Sequence, residues 1–247
     1  MKSAKNILQP EHRPLKTAVL VLDECNTLSF AAAVDPMRAA NRLAGRAAFD
    51  WDYVSAANEP PMLTSGLTVP TTPLSRLEGC ELMIVVAGFQ LARHATPSLL
   101  AGLRRIAGTG ATIAGIDGGP WLMAEAGLLN DHPATTHWED LEAFADAHPE
   151  VDLRPDRYVV DGRLFTTGGA SPALDMMLHL VRARYGYATA LDVASLFIYD
   201  QAHQGDDPQP QVSLGRLGWR EPRLREAVAL MEGRLDAPLP ISEIANK

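Results

Sequence analysis

The chain has 247 residues, 47% of them apolar and 21% charged, with a formal net charge of −8. That length supports one large domain or two modest ones around a substantial core. The acidic balance counts against a broad nucleic-acid surface, although it leaves room for a small basic module. Two cysteines and scattered histidines offer neither a disulfide framework nor a metal site. The polar, proline-broken leader MKSAKNILQPEHRPLK has no secretory signal, and no apolar run is long enough to span a bilayer. The expectation is a cytoplasmic protein without metal, cofactor or membrane partner.

In chain order, TAVLVLDE (17–24) reads as a buried parallel strand. Apolar residues recur at helical spacing over 28–44, with Gly45 as a stop. FDWDYVSA (49–56) alternates as a strand, and ELMIVVAG (81–88) suits a central one. A helix is expected over 98–108, a strand at ATIAG (111–115), and a helix over 120–129 that takes Pro120 in its first turn. ATTHW (134–138) reads as a further strand before the helix EDLEAFADA. RYVVDGRLFTT (157–167) reads as a hairpin turning at Asp161-Gly162 through a type I′ turn. Helices are expected over 171–186 and 188–201. Strands alternating with helices imply an α/β fold, a doubly wound, mostly parallel sheet covered on both faces.

QGDDPQPQ (204–211) is polar and linker-like. Past it, 221–235 fits a helix with interspersed arginines, and a second helix begins at Ile241 and Ser242. The division expected is a first domain over 14–203, a linker over 204–220, and the opening of a further domain over 221–247.

GIDGGPW (115–121) joins a strand to a helix in the form glycine, variable, nucleophile position, variable, glycine. Such turns throw one side chain up above the carboxyl ends of the strands, where open α/β sheets bind ligands. Asp117 holds that position. The helix that follows points its free N–H groups at the same spot, which predicts an ionised carboxylate. The plainer reading is that Asp117 only caps the helix. His137, about twenty residues on, should reach the same rim from the next strand end; alternatively it is a structural histidine. Trp121 and Trp138 flank these two groups in sequence. They are either core or an aromatic wall for a cationic ligand. Cys25 reads as a small buried hydrophobe, Cys80 as structural, and Asp35 with Arg38 as a solvated pair.

These motifs in this order, the elbow, AEAGLL, ATTHWEDLEAFA, the hairpin with TTGGASPALDMMLHL, and PRLREAVALMEGRLDAPLPISEIA, resemble the PfpI/ThiJ superfamily. Its fold is flavodoxin-like, of the class I glutamine amidotransferase type. The likeness is closer to the AraC-type regulators that carry this fold as a sensor. It covers about 17–247, and it implies that 221–247 begins a helix-turn-helix DNA-binding domain. Enzymes of the superfamily place a reactive cysteine where this chain has Asp117, paired with a histidine matched by His137. A carboxylate is a poor substitute for a thiolate in that chemistry, so no catalytic residue is expected. GFQ (88–90) stands where those enzymes often show paired glycines.

Similar sensors with an acidic elbow respond to carnitine, glycine betaine or arginine, each a cation joined to a carboxylate. The expected ligand site therefore comprises Asp117, Gly118, Trp121, His137, Trp138, Gly88 and Phe89. The expected partners are a small-molecule effector, DNA and a second copy of the chain. A hydrolase with Asp117 as nucleophile and His137 as water activator is the alternative, and a scaffold that only dimerises is a third.

Overall fold

Strand β1 (Leu15–Val21) begins two residues before the expected run and is buried at all but one position. Burial on both faces, rather than alternation, is what a central parallel strand between helical layers requires. The computed structural model describes residues 6–209 apart from 12 and 201, and beyond them only positions 227, 231 and 240. The chain divides into two units, Met1–Gln209 and Pro210–Lys247. The helix expected over 221–235, apart from positions 227 and 231, the helix expected from Ile241, and the later part of the expected linker lie outside the described residues.

Helix α1 (Thr27–Ala44) follows β1. Asn26 caps its start by accepting the Leu28 N–H, and Gly45 ends it at φ 60°. Next come β2 (Phe49–Ser55), β3 (Thr72–Pro73), β4 (Leu82–Ala87), α2 (Leu91–His94) and α3 (Pro97–Gly108). Then β5 (Thr112–Asp117) runs directly into α4 (Gly119–Glu125). They are followed by β6 (Pro133–Ala134), α5 (Leu141–Ala147), β7 (Asp152–Leu153), β8 (Tyr158–Asp161), β9 (Leu164–Thr167), α6 (Ser171–Tyr185) and α7 (Tyr187–Leu196). Seven strands form one sheet in the order β3-β2-β1-β4-β5-β9-β8. Every neighbouring pair is parallel except β8 with β9. The expected doubly wound architecture is thus present.

Alternate residues of the strands feed two cores. Val19, Ile84 and Phe165 pack with Met37 of α1 and Met177 of α6 on one face. Leu20 and Met83 pack with Leu103 of α3, Leu122 of α4 and Phe144 of α5 on the other. Each such buried side chain contributes about 1.5–3 kcal/mol, which makes the sheet a rigid platform for the loops at its strand ends.

Four expectations are corrected. ATTHW does not join the large sheet: only Ala134 and its neighbour Pro133 pair, with β7. Thr135 gives its N–H to the Thr166 hydroxyl and its own hydroxyl to Asp156 O, so the side chains take over the bonding that a ladder would supply. The hairpin turns at Gly162-Arg163, and Gly162 alone has positive φ (58°). That is the type II′ pattern, not type I′. Helices α4 and α7 stop short of 129 and 201, where Gly127 (φ 69°) and Ile198 (φ 53°) turn left-handed. Residues 204–209, expected to be linker, belong to the first unit. The Arg157 N–H bonds Gly205 O and Asp207 O, and Gln209 is 3% exposed.

Candidate ligand site

The carboxyl ends of β1, β4, β5 and β9 lie side by side on one edge of the sheet. At or just past each end a non-glycine residue adopts positive φ: Glu24 (58°), Gln90 (56°), Asp117 (63°) and Ala170 (56°). Such conformations cost on the order of 1–3 kcal/mol each and persist only where surrounding structure enforces them. Strain gathered on one rim is a mark of a functional edge, and this is the edge where open α/β sheets bind ligands.

Asp117 stands on the turn the sequence predicts. Its neighbour Gly118 donates its N–H to Ala87 O at 2.9 Å. A Cβ on Gly118 would come within 2.6 Å of the Leu91 side chain and 3.1 Å of Gly88 O. The close approach of α2 and the loop after β4 therefore favours glycine there. The Asp117 carboxylate does not cap α4. Its Oδ2 accepts from the Ser29 hydroxyl at 2.8 Å, and its backbone oxygen accepts from the Thr136 hydroxyl at 3.0 Å. Gly169 abuts the carboxylate, since a Cβ there would lie 2.5 Å from Oδ2.

Burial pushes the Asp117 carboxyl up from the ordinary carboxylate range, while the Ser29 bond and the neighbouring His137 pull it down; Asp140 and Glu139 add to the rise. Burial thus opposes the helix terminus, and the net direction for the Asp117 carboxyl is upward. A cation placed against Asp117 would reverse the balance by favouring the charged form.

His137 is half-buried and within electrostatic reach of Asp117. No hydrogen bond joins the two among the described residues. The His137 ring lies 5.7 Å from that of Trp138, tilted by 39°. Gly88 faces the loop after β1, where a Cβ would approach Asn26 N and Glu24 O at 3.2 Å. Phe89, beside it, leaves 60% of its surface exposed at the rim. Trp121 goes elsewhere. Its ring packs edge-on against Phe144 of α5 at 5.4 Å and against His148 at 5.5 Å, so it belongs to the helical layer and is not a wall of the site. Pro120, Leu122 and Met123 bury against the sheet, which turns the half-buried Trp121 towards α5.

Cys25 is fully buried beneath the rim, its thiol pushed up to about 12 by burial and by the nearby Asp117. It is the structural residue the sequence suggests, as is Cys80, also raised to about 12 by burial. Asp35 and Arg38 pair at 2.7 Å in solvent, as expected. No cluster of His, Cys, Asp or Glu able to hold a metal occurs among the described residues. No described helix is long and apolar enough to cross a membrane.

Ser29 and Thr136 were not singled out in the sequence. Ser29 had a legible signal, a polar residue on the inward face of the alanine-rich helix α1, where it is fully buried.

Comparison with known proteins agrees with this fold. Residues 16–183 match the DJ-1/PfpI family. The chain is 32% identical over 238 residues to the HTH-type transcriptional regulator GbdR of Pseudomonas aeruginosa, a match spanning 96% of this chain and 65% of that protein. It is 32% identical over 229 residues to the HTH-type transcriptional regulator CdhR of the same organism, spanning 92% and 68% respectively. The crystal structure of an AraC family transcriptional regulator from Pseudomonas putida superposes with a TM-score of 0.67 at 24% identity, covering 74% of this chain and 100% of that one. The chain therefore spans about two thirds of the length of these curated relatives. With its strained acidic elbow on a doubly wound sheet, it belongs to the DJ-1/PfpI family, and its relatives include HTH-type transcriptional regulators.

Proposed function

We propose that this chain is the sensor portion of an AraC-type transcription regulator. It binds a small metabolite at the Asp117 rim without catalysis, and occupancy controls DNA binding through a helix-turn-helix domain that begins within 221–247. It acts in the cytoplasm as a homodimer, the commonest symmetric assembly. The observation that carries this reading is an aspartate, not a thiol, at the strained elbow, anchored by Ser29. The regulator names of its relatives support it.

The ligand class is a cationic nitrogen joined to a carboxylate, of the carnitine, betaine or arginine kind. Asp117 meets the cation, with Trp138 and Phe89 as the nearby aromatic surfaces and the Gly88 and Gly118 loops and His137 beside the carboxylate. Burial of Asp117 makes such pairing worth more than on an open surface.

The test is thermal melting of the chain against glycine betaine, L-carnitine and L-arginine, followed by calorimetry on wild type, Asp117→Asn and Asp117→Ala. A ligand at a hundred times its Kd should add about 2.7 kcal/mol of stability. Affinity unchanged in both variants removes Asp117 from the site. A second reading, a hydrolase, draws on His137 lying within electrostatic reach of Asp117. It requires a covalent ester on Asp117 that mass spectrometry would trap with an alkylating substrate; the sensor gives reversible binding and no turnover.

A further inference from the structure

The first unit ends at Gln209, and the next residue, Pro210, begins the second. A terminal residue beside a linker is ordinarily solvated, yet Gln209 is 3% exposed and fully engaged. Its Nε2 group donates towards Thr136 O at 2.8 Å, Asp156 O at 2.9 Å and the Thr135 hydroxyl at 3.1 Å. Its Oε1 accepts the Trp138 N–H at 3.1 Å, and its own N–H reaches Pro155 O at 3.3 Å. A bridge between Asp156 and Pro208 lines up the approach.

Two of these partners, Thr136 and Trp138, flank His137 on either side. Thr136 also bonds the backbone of Asp117. On the other side Oε1 lies beside Gly168, where an added Cβ would collide with it and force the amide to shift. The next residue, Gly169, abuts the Asp117 carboxylate. One side-chain amide thus braces both loops around Asp117, 134–138 and 168–170, at the point where the chain leaves the unit.

We propose that Gln209 is the positioning residue that couples the Asp117 site to the outgoing chain. The inference rests on the reading of that rim as a ligand site. With Gln209 seated, His137 and Trp138 are held and the exit point is fixed. A ligand that shifts those residues alters the seat, and through it the tether that leads to the second unit. The coupling is reciprocal: unseating Gln209 changes ligand affinity by the same factor by which the ligand changes the seating equilibrium. A buried amide with several partners suits this role, because its withdrawal takes the acceptor from the Trp138 N–H and a donor from the Thr136 and Asp156 carbonyls at once, which favours discrete states over gradual drift.

The experiment is hydrogen exchange read by mass spectrometry on the whole chain, comparing wild type, Gln209→Ala, Asp117→Ala and the control Asp207→Ala. Gln209→Ala should speed exchange in 134–138 at least tenfold, Asp117→Ala should change exchange in 204–209, and Asp207→Ala should leave 134–138 as in wild type. Either responding segment staying at the wild-type rate overturns the coupling, as does an equal response of 134–138 to Asp207→Ala. A calorimetric arm uses glycine betaine, L-carnitine and L-arginine. A probe that binds wild type should bind Gln209→Ala at least threefold differently, and equal affinity overturns the proposal. If none of the three binds wild type, the proposed ligand class fails, and the exchange arms alone still decide the coupling.

Discussion

Ser29 donates its hydroxyl proton to Asp117 Oδ2 at 2.8 Å and accepts the Ala170 N–H at 3.0 Å, although these partners lie 88 and 141 residues away in the chain. One buried hydroxyl therefore joins the start of α1 to the elbow after β5 and the loop after β9. Replacement of Ser29 by alanine leaves the Ala170 N–H unpaired and should cost about 1–3 kcal/mol, measured by urea denaturation. It also removes an interaction that holds the Asp117 carboxyl down. Binding of a cationic probe should then begin to weaken at a higher pH than in wild type.

Asp117 itself has the opposite effect on stability. Burial raises its carboxyl above the ordinary range, so between the ordinary and the raised values the folded state holds more proton than the unfolded one. Stability from this group is present at acid pH and is lost as pH rises through that window. Asp117→Asn, which also tolerates the left-handed backbone, should stabilise the chain at neutral pH. The gain should vanish below the ordinary carboxylate range. Melting curves of both proteins across acid and neutral pH check this, and an equal gain at all pH would contradict it.

A third prediction concerns the segment that leads to Gln209. The Arg157 and Asp175 side chains form a buried ion pair at 2.8 Å. Asp175 Oδ1 also accepts from the Tyr199 hydroxyl at 2.9 Å and from the His203 N–H at 3.0 Å. Arg157→Met would strand a carboxylate that is 1% exposed and should cost about 3–5 kcal/mol. Adding Asp175→Leu should recover much of that loss in the same denaturation experiment, because the desolvated charge goes with it.

The two cysteines supply a fourth. Burial holds both thiols at about 12, so neither forms appreciable thiolate at neutral pH. Ellman's reagent should label neither in the native chain within an hour and both in guanidinium chloride. Rapid native labelling of Cys25 would contradict its placement beneath the rim.

The sheet and its helices were legible because they rest on local periodicity. A strand covered on both faces, such as β4, must be apolar throughout. A helix such as α1 announces its end through Gly45. The elbow at Asp117 was legible for the same reason, since close packing of a strand-to-helix turn demands glycines at set offsets. The motifs also carried the family. Partner choice was not legible. Adjacency to the elbow suggested that Trp121 faces the site, but its neighbours on α4 claimed the sheet and sent it to Phe144. The polar run at 204–209 suggested a free linker, yet Gln209 finds its acceptors 53 to 74 residues back in the chain. Sequence by itself determined the layers, the elbow and the residue at its tip. Only the tertiary structure decided which side chains meet that residue, because such meetings depend on how distant strand ends are brought together, and no local spacing encodes that.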